Sequence, residues 1–170
     1  MSGVIDNPFI LVYDALWTLA ERNETLMELI KLKNRIKYDD VLGPKKNISD
    51  ADLPELELIQ AGAECNLMDS SSTTKVVRQY TWGITTGEFE VNPFYNSVSW
   101  ELLCAMVDWD SVLCALTWPD EDWHFVVRTN VISADEGTIM RKNNRGILGW
   151  AGMWTIDVQM HFRTIDMRIT

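Results

Sequence analysis

The chain has 170 residues, 46% of them hydrophobic, and a formal net charge of −10 at pH 7. That length suits one domain able to bury roughly two-thirds of its unfolded surface, and the hydrophobic content excludes wholesale disorder. The charge excludes a general nucleic-acid binder, which needs a basic footprint, and is compatible with a surface that nucleic acid passes without sticking.

Three cysteines, Cys65, Cys104 and Cys114, form no CxxC pair and lie among apolar neighbours. They read as reduced core residues of a cytosolic protein. The N-terminus lacks a basic region followed by an apolar run, so no signal peptide is expected. No stretch approaches the roughly 18 apolar residues that a membrane span needs. Eight tryptophans are many for this length and call for a substantial core with a partly exposed rim, or an interface.

In chain order, residues 1–7 read as a flexible arm. Asn7 and Pro8 form an N-cap with proline at N1, and Phe9, Val12, Tyr13, Leu16, Leu19 and Ala20 follow at helical spacing. This predicts a helix from about Pro8 to Arg22. Asn23 breaks or recaps it before a second helical piece containing Leu26, Leu29 and Ile30; one continuous helix to about Lys33 is the alternative. Gly43, Pro44 and the charges around them predict an exposed loop over 37–52, with a short strand near Asn34 at its start.

Glu55–Gln60 alternates as a strand, which Gly62 ends, and Asp69–Ser72 is a turn. Thr73–Phe89 is β-rich, with Val76, Tyr80, Trp82 and Ile84 on one face. Arg78 falls on that apolar parity, which predicts a position near an edge or a bulge in register. The two strands form a hairpin. Asn92-Pro93 repeats the capping signature and opens a helix to about Asp108. Val112–Leu116 is its continuation or its packing return. An acidic aromatic loop, 118–124, precedes a strand from Phe125 to Ser133 and a long loop over 134–149.

The last strand, Trp154–Asp166 with its approach from Trp150, is the most legible stretch. Trp154, Ile156, Val158, Met160 and Phe162 are apolar, and Thr155, Asp157, Gln159, His161 and Arg163 are polar. Period-2 alternation of this length means one face on a core and one facing water or a partner. The whole is expected to be a single α+β domain of order α-β-β-α-β-β: an antiparallel sheet of about four strands, covered on one face by the N-terminal and central helices.

Signals for an enzyme are poor. Neither GxGxxG nor GxxxxGK[ST] occurs, and there is no GxSxG elbow. His124 and His161 have no Cys or carboxylate at metal-ligand spacing and read as surface or interface histidines. Asp120, Glu121 and Asp122 suit a solvated loop better than a tuned carboxylate pair. Cys104 and Cys114 suit packed thiols better than nucleophiles. No catalytic residue, metal site or cofactor is expected. Arg141, Lys142 and Arg145 stand out in an acidic chain. They read as a solvated hairpin tip, as a contact loop meeting an acidic neighbour, or as a phosphate contact.

The order of elements resembles the tail terminator (tail completion) proteins of long-tailed bacteriophages, which run helix, two strands, helix, two strands. The segments that match are Pro8–Lys33, Thr73–Phe89, Asn92–Asp108, Phe125–Ser133 and Trp154–Asp166. The resemblance is one of architecture and carries no catalytic motif. It implies a virion protein, assembled in the host cytoplasm, that forms a ring, commonly a hexamer, on the end of the tail tube. Such a ring stops tube polymerisation and joins the tail to the head connector or neck, while double-stranded DNA passes through its centre without specific binding. The implied partners are further copies of the chain, the tube protein and the connector, with no membrane. Candidate subunit or tube contacts are then Arg141, Lys142, Arg145, Asp157, Gln159, His161 and Arg163. Another neck or head–tail adaptor protein, or a non-viral α+β interaction module, is the alternative.

Overall fold

The computed structural model describes residues 7–37, 54–67, 73–87, 91–118, 122–140 and 147–163. Helix α1 spans Pro8–Glu21. The Asn7 side chain accepts from the Phe9 amide at 2.9 Å, with proline at the start of the helix, so the capping signature does what its residues suggest. Asn23 then recaps. Its carbonyl oxygen accepts from the Leu26 amide at 3.0 Å and opens α2, Glu24–Leu29. Its amide nitrogen donates to the backbone oxygen and a carboxylate oxygen of Glu101, both at 2.9 Å. One side chain thus starts α2 and ties it to Glu101 of the central helix, while the Asn23 backbone amide donates to the Ala20 carbonyl at the end of α1. A 3-10 turn, Leu32–Asn34, leads into the two-residue strand β1, Arg35–Ile36.

Strands β2 (Glu55–Leu67) and β3 (Thr73–Gly87) form an antiparallel hairpin. Helix α3 (Val91–Ala105) and the short α4 (Trp109–Cys114) cross over to β4 (Val126–Met140), which turns back as β5 (Ile147–Arg163). The sheet order is β1-β2-β3-β5-β4, antiparallel except for the parallel β1–β2 contact. The fold is α+β, with five strands rather than four. No helix among the described residues is long and apolar enough to cross a membrane.

The helices sit on the face formed by Leu56, Leu58, Val76, Tyr80, Trp82, Ile84, Ile156, Val158, Met160 and Phe162, all buried. From α1 come Val12, Tyr13, Leu16 and Trp17; from α3, Val98 and Leu102; from α4, Leu113. Trp17 packs edge-on against Trp82 at 4.9 Å between ring centroids. Tyr13 Oη donates to the Leu58 carbonyl and Tyr80 Oη to the Phe9 carbonyl, so two phenols bolt α1 to the sheet. Burial holds the Tyr80 phenol well above its ordinary pKa, against a smaller opposing pull from Arg78.

The far end of the core is an aromatic cluster around Phe162. Phe9, Trp118 and Trp123 meet it edge-on, and Phe125 stacks on it at 6.0 Å. Trp118 and Trp123 are brought together by a tight return, in which the Trp118 amide donates to the Trp123 carbonyl at 2.8 Å.

Several expectations change. Gly62 does not end β2; it is the extra residue of a bulge between Ala61 and Ala63, and the strand runs on to Leu67. Of the two expectations for Arg78, the bulge holds and the edge does not: β3 is central, and the bulge at Gly62 of β2 shifts the register at Arg78. Its guanidinium lies over the Phe9 ring at 4.3 Å, so a cation keeps the apolar parity by stacking on an aromatic face. Helix α3 begins at Val91, before Asn92-Pro93, and ends at Ala105; a proline is tolerated in a first turn, whose amides lack helical acceptors anyway. Of the Val112–Leu116 stretch, Val112–Cys114 lies in the separate helix α4, Ala115 is its C-cap and Leu116 follows it. The long loop expected over 134–149 is mostly strand. Pairing extends along β4 and β5 to Met140 opposite Ile147, leaving only 141–146 as the connection, outside the described residues. The 1–6 part of the arm and the 38–53 part of the first loop also lie outside them.

Met160, fully buried between β3 and β4 neighbours, tests which face is the core. Met160→Ala is expected to lower stability by about 2–5 kcal/mol in a denaturant melt. Met160→Asp is expected to abolish the cooperative transition, and a normal melt for it means the faces are reversed. Arg78→Ala is expected to lose about 1–2 kcal/mol from the stacked contact and the buried stem, and Arg78→Met to recover part of that loss, both read as melting shifts.

Candidate functional site

The polar parity of β5 lies on the opposite face of the sheet from the helices, and its register places each side chain. Asp157 lies between Gln79 and Asn130, Gln159 between Val77 and Arg128, His161 beside Lys75 and Arg163 beside Thr73. Asp157, Gln159 and His161 are half-buried by their sheet neighbours, and Arg163 is exposed. Gln159 Nε2 and His161 Nε2 are 2.9 Å apart, so the amide can donate to an unprotonated ring nitrogen along the strand. Thr155 and Thr81 join their hydroxyls across the strands at 3.1 Å. The guanidinium of Arg163 lies 5.3 Å from the centre of the Trp123 ring, which ties the end of this row to the aromatic cluster. The structure therefore brings Asp157, Gln159, His161 and Arg163 into one continuous row. With Glu57, Lys75 and Arg128, the row belongs to a face of mixed charge.

Arg141, Lys142 and Arg145 lie outside the described residues, and only their flanks are placed: Met140 and Ile147 are paired at the end of the β4–β5 hairpin.

The residues weighed for chemistry are spread over separate elements. His124 is exposed in an isolated bridge with Thr117, and Asp122 is exposed beside it. Asp120 and Glu121 lie outside the described residues. Among the described residues no group of three or more His, Cys, Asp or Glu could hold a metal ion. The Cys114 sulfur lies 3.8 Å from Asp110, and burial, then the Asp110 charge and hydrogen bond, push its thiol up. That favours the protonated form and works against nucleophilic use.

Cys104 corrects an expectation. It is exposed rather than packed, because α3 turns Val98 and Leu102 inward and Cys104 faces the other way. Trp100, Leu103 and Val107 are exposed beside it. Trp100, Leu103 and Cys104 follow helical spacing on α3, and Val107, in the turn directly after the helix, continues the same i, i+3, i+4, i+7 pattern. Sequence reasoning followed the inward stripe and missed this outer one, although its spacing was equally readable.

Comparison with protein-family models returns no match, and no curated protein sequence matches the chain.

Because Cys104 is exposed while Cys114 is partly buried beside a carboxylate, a maleimide reagent at neutral pH is expected to label Cys104 of the dissociated, monomeric chain at least ~10-fold faster. Peptide mass spectrometry over a time course reads the two rates. Equal rates would mean that the outer face of α3 is covered.

Proposed function

We propose that the chain is a non-enzymatic structural protein of a virion, forming a ring at the end of a phage tail tube. In this reading it stops tube polymerisation, joins the tail to the head connector, and lets DNA pass through. The carrying observation is the one-sided sheet. Five strands receive α1, α3 and α4 on a single face, and with the short α2, β1 and α4 set aside the order of elements is the α-β-β-α-β-β on which the family resemblance rests. The other face carries the continuous Asp157–Gln159–His161–Arg163 row and no described helix.

Two physical features support a role in assembly. Among the described residues the sheet has long open edges: β1 pairs with only Leu56 and Glu57 of β2, and β4 has a strand partner on one side alone. Bulges at Val127 and Ile132 distort the β4 edge, a device that limits indiscriminate strand addition while leaving room for a specific neighbour. The outer face also mixes Glu57, Lys75, Arg128, Asp157 and Arg163. A face of mixed sign in a chain of net charge −10 suits a conduit for DNA better than a basic lining, which would hold the phosphates.

Light scattering coupled to gel filtration, with negative-stain microscopy of the peak, tests the reading. The expected result is a closed ring whose population rises with protein concentration or on addition of tube protein. A strict monomer at every concentration, with tube protein present or absent, would sink it.

A further inference from the structure

The outer stripe of α3 is not part of the sheet face described above. Trp100 is 62% exposed, Leu103 48% and Val107 75%, with Cys104 among them. Exposed apolar side chains scattered singly need no explanation, but three on one arc of α3 and Val107 in the turn that follows make a patch. The same helix buries Val98 and Leu102 on its opposite side, and the turn after it buries Met106. It is apolar on two faces, the pattern of a helix packed on both.

The stretch of sequence that carries the stripe is one-sided in charge. Between Arg78 and Arg128 the chain has no Lys or Arg, while eight acidic residues run from Glu88 to Asp122. Glu101 is held by Asn23, and Asp110 accepts from Thr129. Asp108, directly after the stripe, is exposed. The surface therefore fits an apolar group carried between cations.

The chain itself presents such a group. Leu32 is 76% exposed at the tip of the 3-10 turn, flanked by exposed Lys31 and Lys33. The neighbouring cations are committed within the subunit: Arg35 donates to the Met27 and Ile30 carbonyls, and Lys37 pairs with Glu21 over the Trp17 ring. Knob and stripe are both exposed, so neither covers the other within one subunit.

We propose that the α3 stripe is a self-association surface, and that it receives the Lys31–Leu32–Lys33 knob of a second copy of the chain. Leu32 packs on Leu103 and Val107, and a lysine ammonium lies over the Trp100 face or beside Asp108. Two different patches meeting in this way form a heterologous contact, the kind that closes into rings. The inference rests on the assembly reading above and names the surface it uses.

The full-length chain is followed by light scattering and by maleimide labelling of Cys104, with circular dichroism confirming that each variant folds. Leu32→Asp and Val107→Asp, both at exposed positions, are each expected to raise the half-assembly concentration at least ~10-fold. Lys33→Glu is expected to weaken assembly, and Asp108→Lys in the same chain to restore it. In assembled wild-type protein Cys104 labels at least ~10-fold more slowly than in the Leu32→Asp variant, because the knob covers it. If the wild type assembles but Leu32→Asp assembles equally well, with Cys104 labelled at the monomer rate, this contact is wrong and the ring reading stands. Protection of Cys104 only when tube protein is added would assign the stripe to that partner and overturn the second-copy assignment. A wild type that is monomeric under all conditions overturns both.

Discussion

The structure depends on β5 being hydrogen-bonded along both edges. Its partners β3 and β4 together fix its register from Gly149 to Met160, and register in a strand is also a choice of face. A slip of one residue would turn Trp154, Ile156, Val158, Met160 and Phe162 to the solvent side and bring Asp157 and Arg163 into the core. Pairing on both sides makes that slip break two ladders at once. With the face of β5 set, Tyr80, Trp82 and Ile84 of β3 align with it, and the helices have only one apolar surface on which to settle.

That surface is finished by a few polar contacts whose cost would be high if they were left unmade. The Tyr13 and Tyr80 hydroxyls are each used on a backbone carbonyl, and Asn23 serves α1, α2 and α3 together. Arg78 belongs to the same logic. A guanidinium in a row of aromatic and aliphatic side chains is tolerable because Phe9 offers its face and Phe162 meets the same Phe9 ring edge-on. The start of α1 is held by its cap, by Tyr80 and by this stack, so its position does not depend on helix propensity alone.

What was legible in the sequence follows how strongly each stretch is patterned. The alternations in β3 and β5 and the Asn7-Pro8 signature translate directly into elements, because burial and capping are local consequences of residue type and spacing. The second half of β4 was not legible. Ala134, Asp135, Glu136 and Gly137 are poor strand formers, and they are extended because β5 supplies a partner for each. Gly62 looked like a terminator because a strand read alone has no partner; beside an uninterrupted β3 it is a bulge. Of the candidate site, the β5 row was legible as a face but its neighbours were not, since register with Lys75 and Arg128 is a long-range fact. Cys104 was misplaced for a simpler reason: on a helix with apolar residues on both sides, periodicity does not say which side is the core.

The two uncovered surfaces differ in what water does to them. The sheet face satisfies part of its polarity internally, through the Thr81–Thr155 and Gln159–His161 contacts, while Asp157 Oδ1 has no hydrogen-bond partner, and its charges are of both signs. The α3 stripe gains free energy only by leaving water, and it sits in the 79–127 stretch, which has no Lys or Arg. Net repulsion between chains of charge −10 opposes indiscriminate clustering through that stripe, because like-charged surfaces must approach first. Only a neighbour that brings positive charge beside its apolar group escapes the penalty. Acidity, which at the level of composition argues only against nucleic-acid binding, therefore acts at the stripe as a filter on partners and on their orientation.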